Sequence, residues 1–136
     1  VEEMDGPFPV FEGNMLPLLR EAIKASSSSS SSEAAFVTRR YDGYISFDYR
    51  NADSLEGMFP DPLKAPKNSR ERWTRAVQRE CRGLLVCSET GRVLSRRFHK
   101  FFNVGERPES SQAAVRIEPG FAVMRKIDGM LVSPLM

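Results

Sequence analysis

Three blocks of sequence between residues 79 and 129 decide how the rest of the chain is interpreted. They are RECRGLLV at 79–86, FHKFFNVGE at 98–106 and RKIDG at 125–129. The apolar runs in and around them predict strands over Leu84–Ser88, Val93–Arg97 and Phe121–Arg125. Glu89-Thr90-Gly91 predicts the hairpin loop between the first two strands. Asp128-Gly129 is an ordinary turn signal that closes the third block.

The chain upstream of these blocks alternates between helix and hairpin signals. The predicted elements are a helix from about Met15 to Ala25 capped by Asn14, strands Phe36–Arg40 and Tyr44–Tyr49 around an Asp42-Gly43 turn, a short helix Asn51–Met58, and a helix Arg70–Arg79 capped by Ser69. Residues 105–118 are expected to be a loop, and Leu131–Leu135 to begin a further strand. Repeated hairpins with few helices predict the α+β class, an antiparallel sheet with flanking helices.

The bulk composition is that of one soluble globular domain. The 136 residues are 40% hydrophobic and 28% charged, and the net charge of +2 is too small to indicate a partner. No run of about 18 apolar residues suggests a membrane span. Residues 1–13 are expected to be irregular, and the seven serines at 26–32 to form a flexible insertion. Because the chain starts at Val1 and ends seven residues after Gly129, we interpret it as a piece of a longer protein.

The two cysteines indicate the redox compartment. Cys81 and Cys87 lie six positions apart, and within one predicted strand they would be roughly 20 Å apart, too far for a disulfide. Reduced, structural thiols are expected, which favours an intracellular location in the cytoplasm or nucleus. Their spacing does not predict a zinc site.

The third block has the spacing of a lysine nucleophile, because Lys126 is followed by any residue and then Asp-Gly. The three blocks together resemble the phage-type RNA ligase 1 group, and the Lys-Phe-Phe-Asn-Val-Gly-Glu block is also similar to the ligase domain of fungal tRNA ligases. The resemblance implies that residues 14–136 are the N-terminal part of a covalent nucleotidyltransferase domain of the RNA/DNA ligase fold. That fold would be incomplete here, and interrupted by the serine tract at 26–32.

The same resemblance implies roles for particular residues. Lys126 would be the catalytic nucleophile that takes AMP from ATP with Mg²⁺. Arg82 and Lys100 would bind the departing phosphates, and Asp128 and Gly129 would complete the cofactor-binding set as the turn that presents the lysine. No residue here is expected to ligate a metal. A free lysine has a pKa of about 10.4, so burial and neighbouring cations would be needed to lower it.

Each of these residues also has a plain structural interpretation. Lys126 could be an exposed hairpin lysine, Arg82 a solvated arginine at a strand end, and Lys100 a surface lysine. We expect Phe101 and Phe102 to be core residues rather than stacking platforms, Asn103 and Glu106 to shape a turn, and His99 to have no catalytic role. The basic row Arg70, Arg72, Arg75 and Arg79 is most simply the solvated face of a helix, with an RNA-backbone role as the alternative.

The implied function is an ATP-dependent RNA ligase that joins a 5′-phosphate to a 3′-hydroxyl, as in RNA repair or tRNA splicing. Residue Met130 departs from the family, which usually has a small hydroxyl residue after the glycine. This departure leaves open an alternative function, in which the chain is a non-catalytic relic of the ligase fold that binds RNA or nucleotide. A DNA ligase or a guanylylating capping enzyme is a third reading, disfavoured by the first two blocks. Since the family's later motifs lie beyond the nucleophile, we expect these 136 residues alone to be inactive.

Overall fold

The computed structural model describes residues 4, 6–24, 35–50, 58–129 and 132–134. Its helices are α1 (Leu16–Lys24) and α2 (Arg70–Glu80), and its strands are β1 (Phe36–Arg40), β2 (Tyr44–Tyr49), β3 (Leu84–Cys87) and β4 (Val93–Ser95). Short 3₁₀ turns cover Pro62–Lys64 and Pro108–Ser110. The chain divides into two compact units, Val1–Lys100 with Pro134–Met136, and Phe101–Ser133.

The first unit contains both helices and a four-stranded antiparallel sheet in the order β1-β2-β3-β4. This confirms the α+β class and both predicted hairpins, with strand ends within two residues of the predicted ones. Ile45 pairs with Val86 and Phe47 with Leu84 across β2 and β3. All four side chains are buried, so the period-two pattern of these strands forms one apolar face of the sheet.

Both helices begin where the sequence predicts, because a side chain caps each one. The amide oxygen of Asn14 accepts a hydrogen bond from the backbone N–H of Leu16 at 3.1 Å, and the hydroxyl of Ser69 accepts one from Arg72 N–H at 3.1 Å. The helices also contact each other, since Gln78 Nε2 donates to the carbonyl of Ala22 at 2.8 Å. The buried amide thereby satisfies a carbonyl in the last turn of α1.

The N-terminal segment has no regular structure where it is described, as predicted, but it is firmly packed. Met4 is buried, and its backbone N–H donates to Asn68 Oδ1 at 3.0 Å. The ring of Phe11 lies 4.9 Å from the guanidinium carbon of Arg96. A lack of periodicity therefore indicated the local structure correctly but concealed the contribution of this segment to the core.

In the basic row of α2, the side chain of Arg70 is 69% exposed, as predicted, but the other three arginines do not form a solvated face. Arg72 and Arg79 are only 5% and 7% exposed. Together with Arg75 they reach the loop after residue 58, where Arg79 donates to the carbonyl of Phe59, Arg75 to that of Asp61 and Arg72 to that of Leu63. Prolines deprive this loop of backbone donors, and the arginine donors of the neighbouring helix satisfy its carbonyls instead.

Two further expectations are wrong, and three lie wholly or partly outside the described residues. Phe121–Arg125 forms no strand, and Val123 and Met124 are 91% and 84% exposed, because no strand in the described ranges pairs with this segment. Cys81 is not in a strand but caps the C-terminus of α2. The serine tract and most of the predicted helix Asn51–Met58 lie outside the described residues. Of the strand predicted to begin at Leu131–Leu135, the described residues 132–134 form no strand, and Leu131 and Leu135 lie outside the described residues.

Among the described residues, no helix combines the length and the apolar character needed to cross a membrane.

The turn at Gly91 joins the β3–β4 hairpin to the start of α1. Gly91 has φ of 72°, and its carbonyl accepts a hydrogen bond from Met15 N–H at 2.9 Å. A Cβ at this position would lie 1.8 Å from Asn14 Oδ1 and 3.1 Å from Asn14 Cα. Only glycine therefore fits both the backbone angle and the packing against the helix cap.

We expect Gly91→Ala to destabilise the protein by about 2–4 kcal/mol, because it adds a clash with the α1 cap to the backbone strain. Gly43→Ala is the matched control, since Gly43 also has positive φ (77°) but open space where a Cβ would lie. Its effect should be about 1 kcal/mol. Urea unfolding of both variants measures the difference, and equal losses would contradict the packing argument.

The two thiols should react at very different rates. Burial raises the pKa of Cys81 to about 12, with the Glu80 and Asp48 carboxylates adding to the effect, and its Sγ donates to the Val77 carbonyl at 3.4 Å. Hydrogen bonds with Thr90 lower the pKa of the half-buried Cys87. Because the thiolate is the nucleophile, iodoacetamide at neutral pH should modify Cys87 and leave Cys81 intact in the folded protein. Peptide mapping gives the result, and the Cys87→Ser variant should then take up no label.

Candidate functional site

The C-terminal end of α2 holds the two basic residues that the sequence singled out in the first unit. The carbonyl of Arg79 accepts a hydrogen bond from the backbone N–H of Lys100 at 2.6 Å. The guanidinium of Arg82, two residues past the helix, donates to the carbonyl of His99 at 3.1 Å and lies 3.5 Å from that of Phe98. The predicted residues Arg82 and Lys100 are thus brought to one junction.

A buried ion pair fixes the same junction from the other side. Arg96 forms two hydrogen bonds to the carboxylate of Glu80, at 2.8 Å from Nε and 2.6 Å from Nη2. The side chain of Glu80 is only 1% exposed, and the hydrogen bonds from Arg96 to Glu80 raise the pKa of Arg96. A paired arrangement of this kind sets the direction of both backbones, so it ties the end of α2 to the segment that leads to Lys100.

Arg97 packs on the glycine that follows Arg82. Gly83 has φ of 76°, and a Cβ there would lie 3.1 Å from Arg97 Nη1. Arg97 Nε is buried and has no hydrogen-bond partner within the described part of the chain. The glycine therefore lets a third guanidinium approach the backbone beside Arg82, in a region suited to an anion.

The ammonium of Lys100 lies over two aromatic rings. Its Nζ is 5.7 Å from the ring centre of Tyr49 and 5.8 Å from that of Phe59. The two rings meet edge to face, with centroids 5.0 Å apart. Lys100 is half-buried, so the interpretation of an ordinary surface lysine does not describe it.

His99 is a packed residue. Its ring contacts Phe8 edge to face at 4.7 Å between centroids. Burial lowers the pKa of His99 below its ordinary 6.5; the Glu80 carboxylate opposes this shift, and the charges of Arg79, Arg82 and Arg96 add to it. The imidazole is therefore neutral at physiological pH, and its role at the junction is to pack against Phe8.

In the second unit, the Asn-Val-Gly-Glu part of the middle block forms a closed turn. The Glu106 carboxylate accepts from Asn103 N–H at 2.8 Å, and Ser110 Oγ donates to the Asn103 carbonyl at 2.8 Å. Asn103 and Glu106 thus shape a turn, as predicted. Phe101 is 59% exposed, which makes the core prediction wrong for that ring, whereas half-buried Phe102 lies 4.9 Å from the guanidinium of Arg107.

Lys126 belongs to the second unit and is not buried. Its side chain is 87% exposed, and Nζ pairs with Asp128 Oδ1 at 3.0 Å, an aspartate that is itself 97% exposed. An exposed pair of this kind contributes little to stability. Around Gly129 no atom lies within 4 Å of where a Cβ would be. Lys126 and Asp128 are thus paired and exposed in the second unit beside Gly129, while Arg82 and Lys100 lie in the first unit.

The described residues offer no ready metal site. Within the described ranges, no three His, Cys, Asp or Glu side chains lie close enough to hold a metal ion. A cavity of about 410 Å³ opens between the N-terminal segment and the two helices, and contains none of the predicted site residues. It is lined by Val10, Glu12, Met15, Leu18, Glu21, Ala22, Arg70, Trp73 and Thr74.

Comparison with known proteins finds a similarity to RNA ligases. Residues 80–136, which include Arg82, Lys100 and Lys126, match a family model described as RNA ligase. A "Putative RNA ligase" of Thermovibrio ammonificans is 40% identical over 67 residues, 49% of this chain and 17% of that protein. Over these residues the chain is similar to the phage-type RNA ligase 1 family. The matched part spans about a sixth of the relative's length, and no solved structure matches the chain.

Sequence reasoning missed the surroundings of Lys100. Tyr49 and Phe59 come from segments 41 or more residues upstream, and Arg79 was interpreted as solvated. The single feature of the sequence that could have indicated these contacts was the aromatic residue at the end of β2, which is equally typical of an ordinary half-buried strand. The contact between these elements arises only when the loop after residue 58 folds onto α2.

We expect the imidazole of His99 to titrate below pH 6.5 when followed by NMR. Since the unfolded chain takes up a proton at about 6.5 and the folded chain only at lower pH, stability should fall as pH drops from 6.5 to the folded midpoint. The His99→Gln variant should lose this part of the pH dependence. In Phe8→Leu, which uncovers the ring, the midpoint should move back towards 6.5. A wild-type midpoint at or above 6.5 would contradict burial as the dominant cause.

Proposed function

We propose that the protein is an ATP-dependent RNA ligase and that residues 14–136 form the N-terminal part of its nucleotidyltransferase domain. The carrying observation is that the RNA ligase family match at 80–136 includes Arg82, Lys100 and the Lys126-x-Asp128-Gly129 turn. The proposal is supported by the position of Arg82 and Lys100, which hydrogen bonds hold together at the C-terminal end of α2. The work of these residues would be to bind and polarise a triphosphate.

In the proposed first step, Lys126 attacks ATP. Its deprotonated Nζ forms a bond to the α-phosphorus, the bond between that phosphorus and the β-bridging oxygen breaks, and pyrophosphate leaves. The product is a lysine–AMP phosphoramidate. An amine on a long and exposed side chain, 87% exposed here, is accessible to a nucleotide that approaches from solvent.

Arg82 and Lys100 are proposed to stabilise the charge that develops on the leaving phosphates. A guanidinium offers a planar fork to phosphate oxygens, and an ammonium offers three donors and a point charge. Charges held in place before the reaction need no reorganisation as the bond breaks. Arg82 donates a hydrogen bond to the carbonyl of His99, the residue before Lys100, and the backbone N–H of Lys100 donates to the carbonyl of Arg79. These two bonds hold both basic residues at the end of α2.

The later steps would join RNA ends. AMP passes from Lys126 to the 5′-phosphate of an RNA, which forms a phosphoanhydride and frees the lysine. A 3′-hydroxyl then attacks the RNA phosphorus, and AMP leaves as the phosphodiester forms. Mg²⁺ would lower the charge of the triphosphate, and we assign it no protein ligand among the described residues, where no three candidate side chains lie together. ATP, RNA with these ends and Mg²⁺ are accordingly proposed partners.

A second candidate function is nucleotide or RNA binding without catalysis. It is favoured by the pairing of Lys126 with Asp128 at high exposure and by Met130, which stands where the family usually has a small hydroxyl residue. Both candidates require Arg82 and Lys100 for phosphate binding. They differ in whether a covalent adduct forms on Lys126.

We expect the protein encoded by the whole reading frame to become covalently labelled by α-³²P-ATP and Mg²⁺, and Lys126→Ala to lose the label. Lys126→Arg should lose it as well, because it keeps the charge but not the nucleophile. Lys67→Ala is the matched control, since Lys67 is an exposed lysine outside the three blocks, and it should retain full labelling. The measurement is acid-stable versus acid-labile label on a denaturing gel, with the phosphoramidate being acid-labile.

Binding of ATP without any label would favour the non-catalytic candidate. Label that survives in Lys126→Ala would show that another residue is the nucleophile. Label from GTP but not from ATP would replace the ligase proposal with capping chemistry.

A further inference from the structure

Lys100 is held at both of its ends. Its backbone N–H donates to the Arg79 carbonyl at 2.6 Å, and its Nζ lies within 6 Å of two ring centres, those of Tyr49 and Phe59. A lysine normally has four rotatable side-chain bonds and loses much entropy when it is ordered. Fixing both ends removes that loss before a ligand binds.

The kind of contact matters for a phosphate-binding lysine. A carboxylate partner would hold the ammonium equally well but would cancel its charge. The faces of aromatic rings attract a cation through their quadrupole and leave its net charge unchanged. Contact with the rings therefore does not by itself reduce the positive charge that Lys100 offers to a phosphate oxygen.

The ring of Phe59 is held in place at the expense of backbone strain. Phe59 has φ of 58°, a left-handed conformation that bulky residues rarely adopt. Two donors of the buried Arg79 guanidinium hold its carbonyl, at 3.3 Å from Nε and 2.9 Å from Nη2, and the ring packs edge to face on Phe36 at 5.7 Å. Strain that the surroundings maintain in this way commonly lies at a functional site.

Arg79 is the common anchor of this arrangement. Its side chain fixes the carbonyl of Phe59, and its own carbonyl fixes the backbone of Lys100. Tyr49, the last residue of β2, completes the seat from the sheet, where it is paired with Phe36 of β1. Three elements thus meet at Lys100, with α2 at its backbone and the two ring-bearing segments at its ammonium group.

We propose that Tyr49 and Phe59 form an aromatic seat that positions the Lys100 ammonium for the β- and γ-phosphates of ATP. Tyr49 is then a positioning residue, which acts through Lys100 and does not itself touch the substrate. This inference rests on the proposed ligase function for its consequences in catalysis, but its geometry can be tested separately. The hydroxyl of Tyr49 has no part in the seat.

The geometric test is independent of activity. Ring currents should shift the Lys100 Hε protons upfield in the NMR spectrum of the wild-type protein. The shift should persist in Tyr49→Phe, which keeps the ring, and be largely lost in Tyr49→Leu. Unshifted Hε protons in the wild type would overturn the seat, whether or not the protein is a ligase.

The functional test is a double-mutant cycle on the rate constant of lysine–AMP formation divided by the half-saturating ATP concentration. Tyr49→Leu should lower this ratio about three- to tenfold, and Tyr49→Phe should change it less than twofold. In a Lys100→Ala background, Tyr49→Leu should have no further effect, because the residue it acts through is gone. A merely structural role would lower the ratio equally in both backgrounds.

The outcomes separate the two proposals. A wild-type protein that shows the ring-current shift but forms no adduct would refute the ligase function and keep the seat. An adduct-forming protein in which Tyr49→Leu acts equally with and without Lys100 would refute positioning and keep the ligase function. Equal losses in Tyr49→Phe and Tyr49→Leu would also overturn the inference, since the ring would then not be the active element.

Discussion

The described structure of the first unit depends on the last turn of α2, where consecutive residues tie the helix to different segments. Arg79 binds the Phe59 carbonyl through its side chain and Lys100 through its backbone. Glu80 pairs with Arg96, and Arg82 donates to the His99 carbonyl. Unsatisfied groups at a helix end must find partners, and here the partners are the segments that carry the candidate site. The end of the helix is thereby a structural junction and the framework of the site.

The burial of charge at this junction has a physical consequence. Glu80 and Arg79 are almost fully buried, and each is compensated by hydrogen bonds, Glu80 to a guanidinium and Arg79 to a carbonyl. Breaking one partner of such a pair leaves an uncompensated buried group, which is far more destabilising than replacing both partners. The arrangement therefore specifies one geometry rather than adding stability. A precise geometry is what the phosphate recognition proposed for Arg82 and Lys100 would require.

The burial and contacts of several basic residues differ from what the sequence predicted. A row of arginines at helical spacing fits a solvated face or an RNA-binding surface, and neither applies to Arg72 and Arg79, whose side chains are buried. Their targets are backbone carbonyls of a proline-rich loop, which offers few donors of its own. Lys100, predicted to bind phosphates with an ordinary surface lysine as the alternative, is half-buried, with its backbone on α2 and its ammonium over two rings.

The sequence by itself determined the α+β class, both caps, both hairpins and the resemblance to RNA ligases. Those features depend on local patterns, such as side-chain caps, period-two alternation in β2 and β3, and motif spacing, which contacts distant in the chain do not alter. It failed at Phe121–Arg125, because a strand is defined by hydrogen bonds to a neighbour, and no described strand supplies them. Only the tertiary structure decided which basic residues are buried, and that Tyr49, Phe59 and Arg79 meet at Lys100. Residues 49, 59, 79 and 100 come together through loop closure and packing, whose partners no local pattern encodes.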